Sequence, residues 1–167
     1  MERKANSSTT VVAQKGSNGG GETFDLRGLL QALRAVRDGD FTTRLPGHWT
    51  GMEGKIADAL NDVIASNQRM AEELERVGAV VGKEGKTRYR AKFDRRGGAW
   101  GGMETSINTL IDDLLWPTKE VTEAISAVAQ GDLLQTVRLD IEGRPLQGEF
   151  LRSASIVNTM ILQLSVF

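Results

Sequence analysis

Cysteine is absent from the 167 residues. That excludes disulfides, thiolate catalysis and cysteine metal sites together. Aromatic side chains make up only 5% of the chain, against 26% charged. This balance fits long exposed helices better than a thick globular core. No run of 18 apolar residues occurs, so no segment is expected to span a membrane. The opening stretch, MERKANSSTTVVAQKG, lacks the apolar core of a signal peptide, and the expected location is cytoplasmic. Asn6-Ser7-Ser8 matches a glycosylation acceptor, but without secretion the match carries no meaning. A net charge of −1 gives no global field for nucleic acid or an anionic membrane.

What the chain does have is a repeat. Gly39, Gly85 and Gly131 are spaced 46 residues apart, twice in succession. Each follows an amphipathic helical pattern and opens a polar connector. Each connector leads to a second helical pattern with an Asn after an apolar residue: Leu60-Asn61, Ile107-Asn108 and Val157-Asn158. A fixed period of this size means one supersecondary unit used three times. A unit so short struggles to bury its own core and needs stacked neighbours or a partner chain.

Residues 1–23 end in GSNGGGET and read as a flexible tail. Leu26, Leu29, Leu33 and Val36, widened by Leu30, predict a first helix that stops at Gly39 by a glycine C-cap. Phe41 and Leu45 follow Gly39 by two and six residues. Thr87 and Ala91 hold those places after Gly85, and Leu133 and Val137 after Gly131. These pairs are expected to anchor each connector, with weaker packing in the middle one. Ile56, Leu60, Val63, Asn67, Met70, Leu74, Val77 and Val81 step by 4 and 3 in alternation, an unbroken heptad seam. The second helix of the first repeat should therefore run into the first helix of the second, over residues 53–84. Asn67 on the seam either fixes register or marks a solvated junction. A similar seam runs through Ile107, Leu110, Leu114, Pro117, Val121, Ala124 and Val128. Pro117 is expected to kink or break it, as the joint between repeats. The last helix carries Phe150, Ala154, Val157, Ile161 and Leu164.

The phrases ALRAVRDGDF, GKIADALNDVI, LERVGAVVGKEGK, INTLIDDL, PTKEVTEAISAVAQGDL and EGRPLQGEFLRSASIVNTM resemble the tandem HAMP segments of multi-HAMP sensor histidine kinases and of fungal hybrid histidine kinases. The resemblance covers roughly residues 24–167, with units over 24–75, 76–116 and 117–167. It implies an all-α fold in which two chains pair as parallel four-helix coiled coils, each connector running back along the outside. It also implies a relay between two packing states, carried through the shared helices to a histidine kinase output in cis or in trans. HAMP families hold the connector with an acidic residue near the start of the second helix, and the resemblance carries that role to Glu53 and Glu149. In the second repeat Trp100 and Glu104 lie nearby, and neither fits cleanly. No phospho-acceptor motif and no ATP-binding domain are found, so the chain is not expected to be a kinase by itself. Whether it is a piece of a kinase or a free-standing relay stays open.

Catalytic signals are weak. Gly82-Lys83-Glu84-Gly85-Lys86-Thr87 contains Gly-Lys-Thr, but a phosphate loop needs a Gly where Val80 stands. The bland reading is a helix C-cap with basic residues at the negative helix end. Residues 83–96 hold seven basic and two acidic side chains. They read as an extended connector with a solvated basic face, meeting Glu72, Glu73 and Glu75. The alternative is a dimerisation scaffold whose basic connector docks an acidic partner or nucleic acid. Asp112-Asp113 is a weak metal candidate, since adjacent residues on a helix do not face each other, and reads as solvated helix surface; His48, beside Trp49, reads as a connector residue. No cofactor, metal or small-molecule substrate is expected.

Overall fold

The structure, a computed structural model, describes residues 25–93 and 97–166. The expected tail, Phe24, residues 94–96 of the basic connector and Phe167 lie outside the described residues. Helix α1 spans Leu26–Arg37. Asp25 starts it: its Oδ1 accepts the Arg27 and Gly28 N–H groups at 3.1 and 2.9 Å, satisfying two otherwise orphaned donors. Gly39, with φ +87°, ends it. The Asp40 N–H then donates back to the Ala35 carbonyl at 2.8 Å, a Schellman closure that needs a left-handed residue.

Helix α2 runs Gly51–Val77, and the helical path continues through a π-helical turn, Gly78–Lys83. Helix α3 runs Gly98–Ala129 and α4 runs Gly148–Ser165. The only strands among the described residues form a small antiparallel hairpin in the third connector, β1 Asp140–Ile141 and β2 Arg144–Pro145. Glu142 and Gly143 turn it, both at positive φ. The described residues are otherwise mostly helical, with irregular connectors between the helices. No described helix is long and apolar enough to cross a membrane.

Both long helices serve two repeats each, so the proposed unit boundaries at 76 and 117 fall inside continuous helices. One of the two forms expected at Pro117 falls away. The joint is not a break: Pro117 is buried inside α3, which passes through it. A proline in mid-helix removes only its own N–H bond and strains one preceding turn. Here the ring is covered by packing and the helix survives. Beyond Val77 the expected seam enters the widened π-helical turn, in which Val81 is half-buried as Val77 is.

Among the described residues the buried apolar side chains include two clusters, with Ile64, Ala91, Phe93 and Ile111 buried outside them. Ala32, Leu45 and Ala57 form one, with Leu29, Trp49 and Leu60 packed against it. Ala124, Val137, Leu146, Ala154 and Ile161 form the other, joined by Trp116, Val121, Val128, Ile141 and Val157. They belong to the first and third repeats. Many large apolar side chains stay exposed in the single chain, among them Leu26, Leu30 and Leu33 on α1 and Leu110 and Leu114 on α3. Ile161→Ala, at one of the two largest fully buried side chains, should cost about 2–5 kcal/mol in denaturant unfolding. Leu134→Ala, at a residue 94% exposed, should change stability by less than ~0.5 kcal/mol.

Candidate functional site

Each connector is fastened to its second helix by one side chain. The amide of Asn61 on α2 accepts the Leu45 N–H at 2.8 Å and donates to the Leu45 carbonyl at 3.0 Å. Asn108 on α3 treats Ala91 identically, at 2.8 and 3.0 Å. Asn158 on α4 does the same for Val137, at 2.7 and 3.0 Å. A carboxamide carries an acceptor and a donor side by side, which matches the two polar groups of one extended residue. A connector crossing a helix has no ladder to satisfy its backbone. The Asn supplies both bonds, and the anchor side chain is buried in all three cases. The Asn lies 16, 17 and 21 residues beyond its anchor in the three repeats. Connectors of different length thus arrive at one geometry.

The far end of each connector is also fixed. Gly51, Gly98 and Gly148 each open a second helix at positive φ, and each stands ten residues before its clamping Asn. Gly and Asn together therefore hold both ends of the return path.

Arginines add a second fastening. The Arg44 Nη1 donates to the Phe41 and Thr43 carbonyls at 2.8 and 2.6 Å, and its Nη2 reaches Gln68 at 2.6 Å. Arg90, at the matching place, bonds the Thr87 and Tyr89 carbonyls and pairs with Asp112. The third repeat has Thr136 there and uses other cations. Arg138 makes a bidentate pair with Glu120, at 3.0 and 2.6 Å, and lies 5.2 Å over the Trp116 ring. Arg144 of the hairpin reaches Asp113 at 2.5 Å. Asp112 and Asp113 are thus split between two connectors, the second and the third, and both carboxylates are engaged by arginine. Asp112 and Asp113 remain on the helix surface, their side chains 62% and 37% exposed, and each meets an arginine there.

These contacts set the local electrostatics. The Arg138 guanidinium holds the Glu120 carboxyl below the usual glutamate range, and Arg144 does the same for Asp113. Both arginines are pushed further up in turn. On α2 the buried Glu73 accepts from the second connector's Tyr89 hydroxyl at 2.9 Å and Lys92 N–H at 3.0 Å, with Arg76 at 3.6 Å. Glu73 is therefore met by the connector, through a phenol and a backbone amide.

Neither expected connector-holding acid, Glu53 or Glu149, bonds its connector among the described residues. Glu149 is exposed, and its ion pair is with Arg152 one turn along its own helix. Glu53 is half-buried and makes no hydrogen bond to the connector among the described residues. One acid does hold a connector: Glu104 accepts the Phe93 N–H at 2.6 Å. It sits a full turn further into its helix than the matching position of Glu53. The anchors Leu45, Ala91 and Val137 are buried, Phe41 and Leu133 half-buried, and Thr87 exposed. Of the seam residues, Ile161 is buried. Leu60, Asn67, Met70, Val77, Val81, Ile107, Val121, Val128 and Val157 are half-buried, and Val63, Leu74, Leu110 and Leu114 are exposed. The Asn67 amide donates to the Val63 carbonyl of its own helix at 2.9 Å.

No protein-family model matches the chain. No solved structure matches it significantly. The repeat geometry is therefore the basis for any functional reading.

Asn108→Ala should leave the Ala91 N–H and carbonyl without their protein partner, at a cost of about 1–3 kcal/mol. Faster amide exchange at Ala91, with Leu45 and Val137 unaffected, is the expected signature. Acid should release the third connector. Glu120 and Asp113 have carboxyls lowered on folding, so their contribution is present above the ordinary carboxylate range and lost as pH falls through the depressed values. Thermal unfolding of wild type and Arg138→Gln should differ at pH 7 and converge at the acid end.

Proposed function

We propose that this chain is a non-enzymatic signal relay. Three tandem HAMP-like units pair with a second copy of the chain and pass conformational state toward a histidine kinase output, on the same polypeptide or another. The observation that carries this reading is the clamp repeated at Asn61, Asn108 and Asn158. It holds the anchor about 15 Å along the second helix from its first residue. From that anchor the connector has to travel back to Gly51, Gly98 or Gly148. A return path of this kind supports two helices of a unit pointing the same way, with the connector outside them.

The exposed apolar residues support pairing. Leu26, Leu30 and Leu33 step by 4 and 3 on α1, and Leu110 and Leu114 continue the seam on α3 at 57% and 47% exposure. Contiguous apolar stripes of this extent mark an interaction surface. A second copy is the partner that presents the same spacing in the same register, by two-fold pairing. Two helices from each chain then complete a four-helix core. The shared helices α2 and α3 make neighbouring units mechanically continuous, which a relay between packing states requires. The scaffold reading, with a basic connector docking an acidic partner or nucleic acid, gains less support. Arg90 is already bound to Asp112, and Glu73 takes up the Lys92 amide.

Sedimentation of the purified chain should give a dimer, and Leu110→Glu with Leu114→Glu should shift it to monomer. A wild-type monomer at micromolar concentration would sink the pairing. Fused between a receptor of known output and a kinase core, residues 24–167 should transmit, and Leu74→Ala or Val77→Ala should alter the output. Unaltered output with dimerisation intact would leave the scaffold reading in its place.

A further inference from the structure

The two shared helices differ in length by one residue between equivalent fixed points. Each starts from a clamping Asn and ends at a left-handed glycine that opens the next connector. Twenty-four residues lead from Asn61 to Gly85, and twenty-three from Asn108 to Gly131. In a regular α-helix one additional residue would turn everything beyond it by about 100°. The next anchor still falls six residues after its glycine, at Ala91 and Val137, and is clamped identically. Something in the first shared helix absorbs the difference.

The hydrogen bonds locate it. At the exits of α1 and α3 the Asp38 and Gln130 N–H groups donate four residues back, to Arg34 and Ser126, at 3.0 and 3.2 Å. The matching Glu84 N–H donates five back, to Ala79, at 2.9 Å. Two residues later, Asp40 and Asp132 donate five back, to Ala35 and Ala127, whereas Lys86 donates six back, to Val80. Both of these closing bonds are one residue wider at the middle exit. The π-helical turn Gly78–Lys83 occupies that stretch, and a π turn is what a helix forms when one residue is inserted. Gly78 and Gly82 lie within it, where two poor helix formers weaken the competing α-helical bonding.

We infer that this π turn is the phase-setting element between the first and second repeats: it takes up one residue so that the second connector leaves the helix in the orientation its clamp requires. Converting it to α-helix without losing a residue would turn the second connector and α3 by one residue's angle relative to α1. That is the smallest discrete rearrangement this joint offers. The joint through Pro117 has no such surplus residue. The inference rests on the repeat within one chain. It needs neither pairing nor signalling, so its failure and that of the relay are separate results.

Two single-residue deletions in the full chain test it: removal of Ala79 from the π turn, and removal of the exposed Thr122 from α3. Each is followed by thermal unfolding and amide exchange. Removing Ala79 should leave a plain α-helix of the length found in α3. The melting temperature should stay within about 3 °C, and the Ala91 amide should stay as protected as in wild type. Removing Thr122 should turn the third connector away from Asn158, lower the melting temperature by more than about 5 °C, and expose the Val137 amide. Loss of Ala91 protection or of folding on removing Ala79 would overturn the inference. So would a Thr122 deletion tolerated as well as the Ala79 deletion.

Discussion

One carboxamide per repeat governs the architecture. A connector that crosses a helix must find partners for its backbone, and a surface crossing offers only water or side chains. Asn61, Asn108 and Asn158 each satisfy both polar groups of one anchor residue. The bonds are short and paired, so they fix position along the helix as well as contact. Once the anchor is fixed, the glycine before it and the glycine after it are confined to narrow windows. The left-handed turns at both connector ends follow from that confinement. Differences between connectors are then free to accumulate elsewhere, and the third spends its additional residues on the hairpin of β1 and β2.

The shared helices turn these local clamps into a connected system. A rotation at Asn61 has no loop in which to dissipate before Gly85, and a rotation at Asn108 has none before Gly131. Arg144 on Asp113 ties the third connector back to the helix that serves the second repeat, and Arg90 on Asp112 holds the second connector on the next residue. The stretch before Pro117 thus carries two connectors on adjacent side chains. Packed helices shift between discrete arrangements and do not deform smoothly. A chain so built suits a proposed role in transmission, and in that role it needs no reactive group.

The sequence made the helices, their fusion and the exits legible because these depend on local periodicity and on glycine, whose steric freedom is visible in one letter. The anchors Leu45, Ala91 and Val137 were legible for the same reason, through their constant distance from a glycine. The Asn residues were visible as a recurrence, but their role was not: an Asn bonding a residue 16 to 21 positions away leaves no local trace. A carboxylate at a helix start, as at Glu53 and Glu149, is favourable on its own account through the helix dipole, whether or not it holds a connector. The π turn hid behind a heptad pattern. Val77 and Val81 keep the four-residue step that a seam expects, and the surplus residue shows only when Asn61 to Gly85 is counted against Asn108 to Gly131. The ion pairs of Arg138 and Arg144 depend on a hairpin whose turn, Glu142-Gly143, carries only half of the usual glycine-rich signature.

The central claim is that two copies of this chain lie side by side in parallel, in register through all three repeats. Spin labels placed singly at Val63 and, in a second sample, at Ile156 test it most directly, because both positions are exposed in the single chain and lie near opposite ends of the repeat array. The account predicts one short, narrow inter-chain distance at each position, measured by pulsed dipolar spectroscopy. A short distance at neither, as in an antiparallel pair or a monomer, would contradict it.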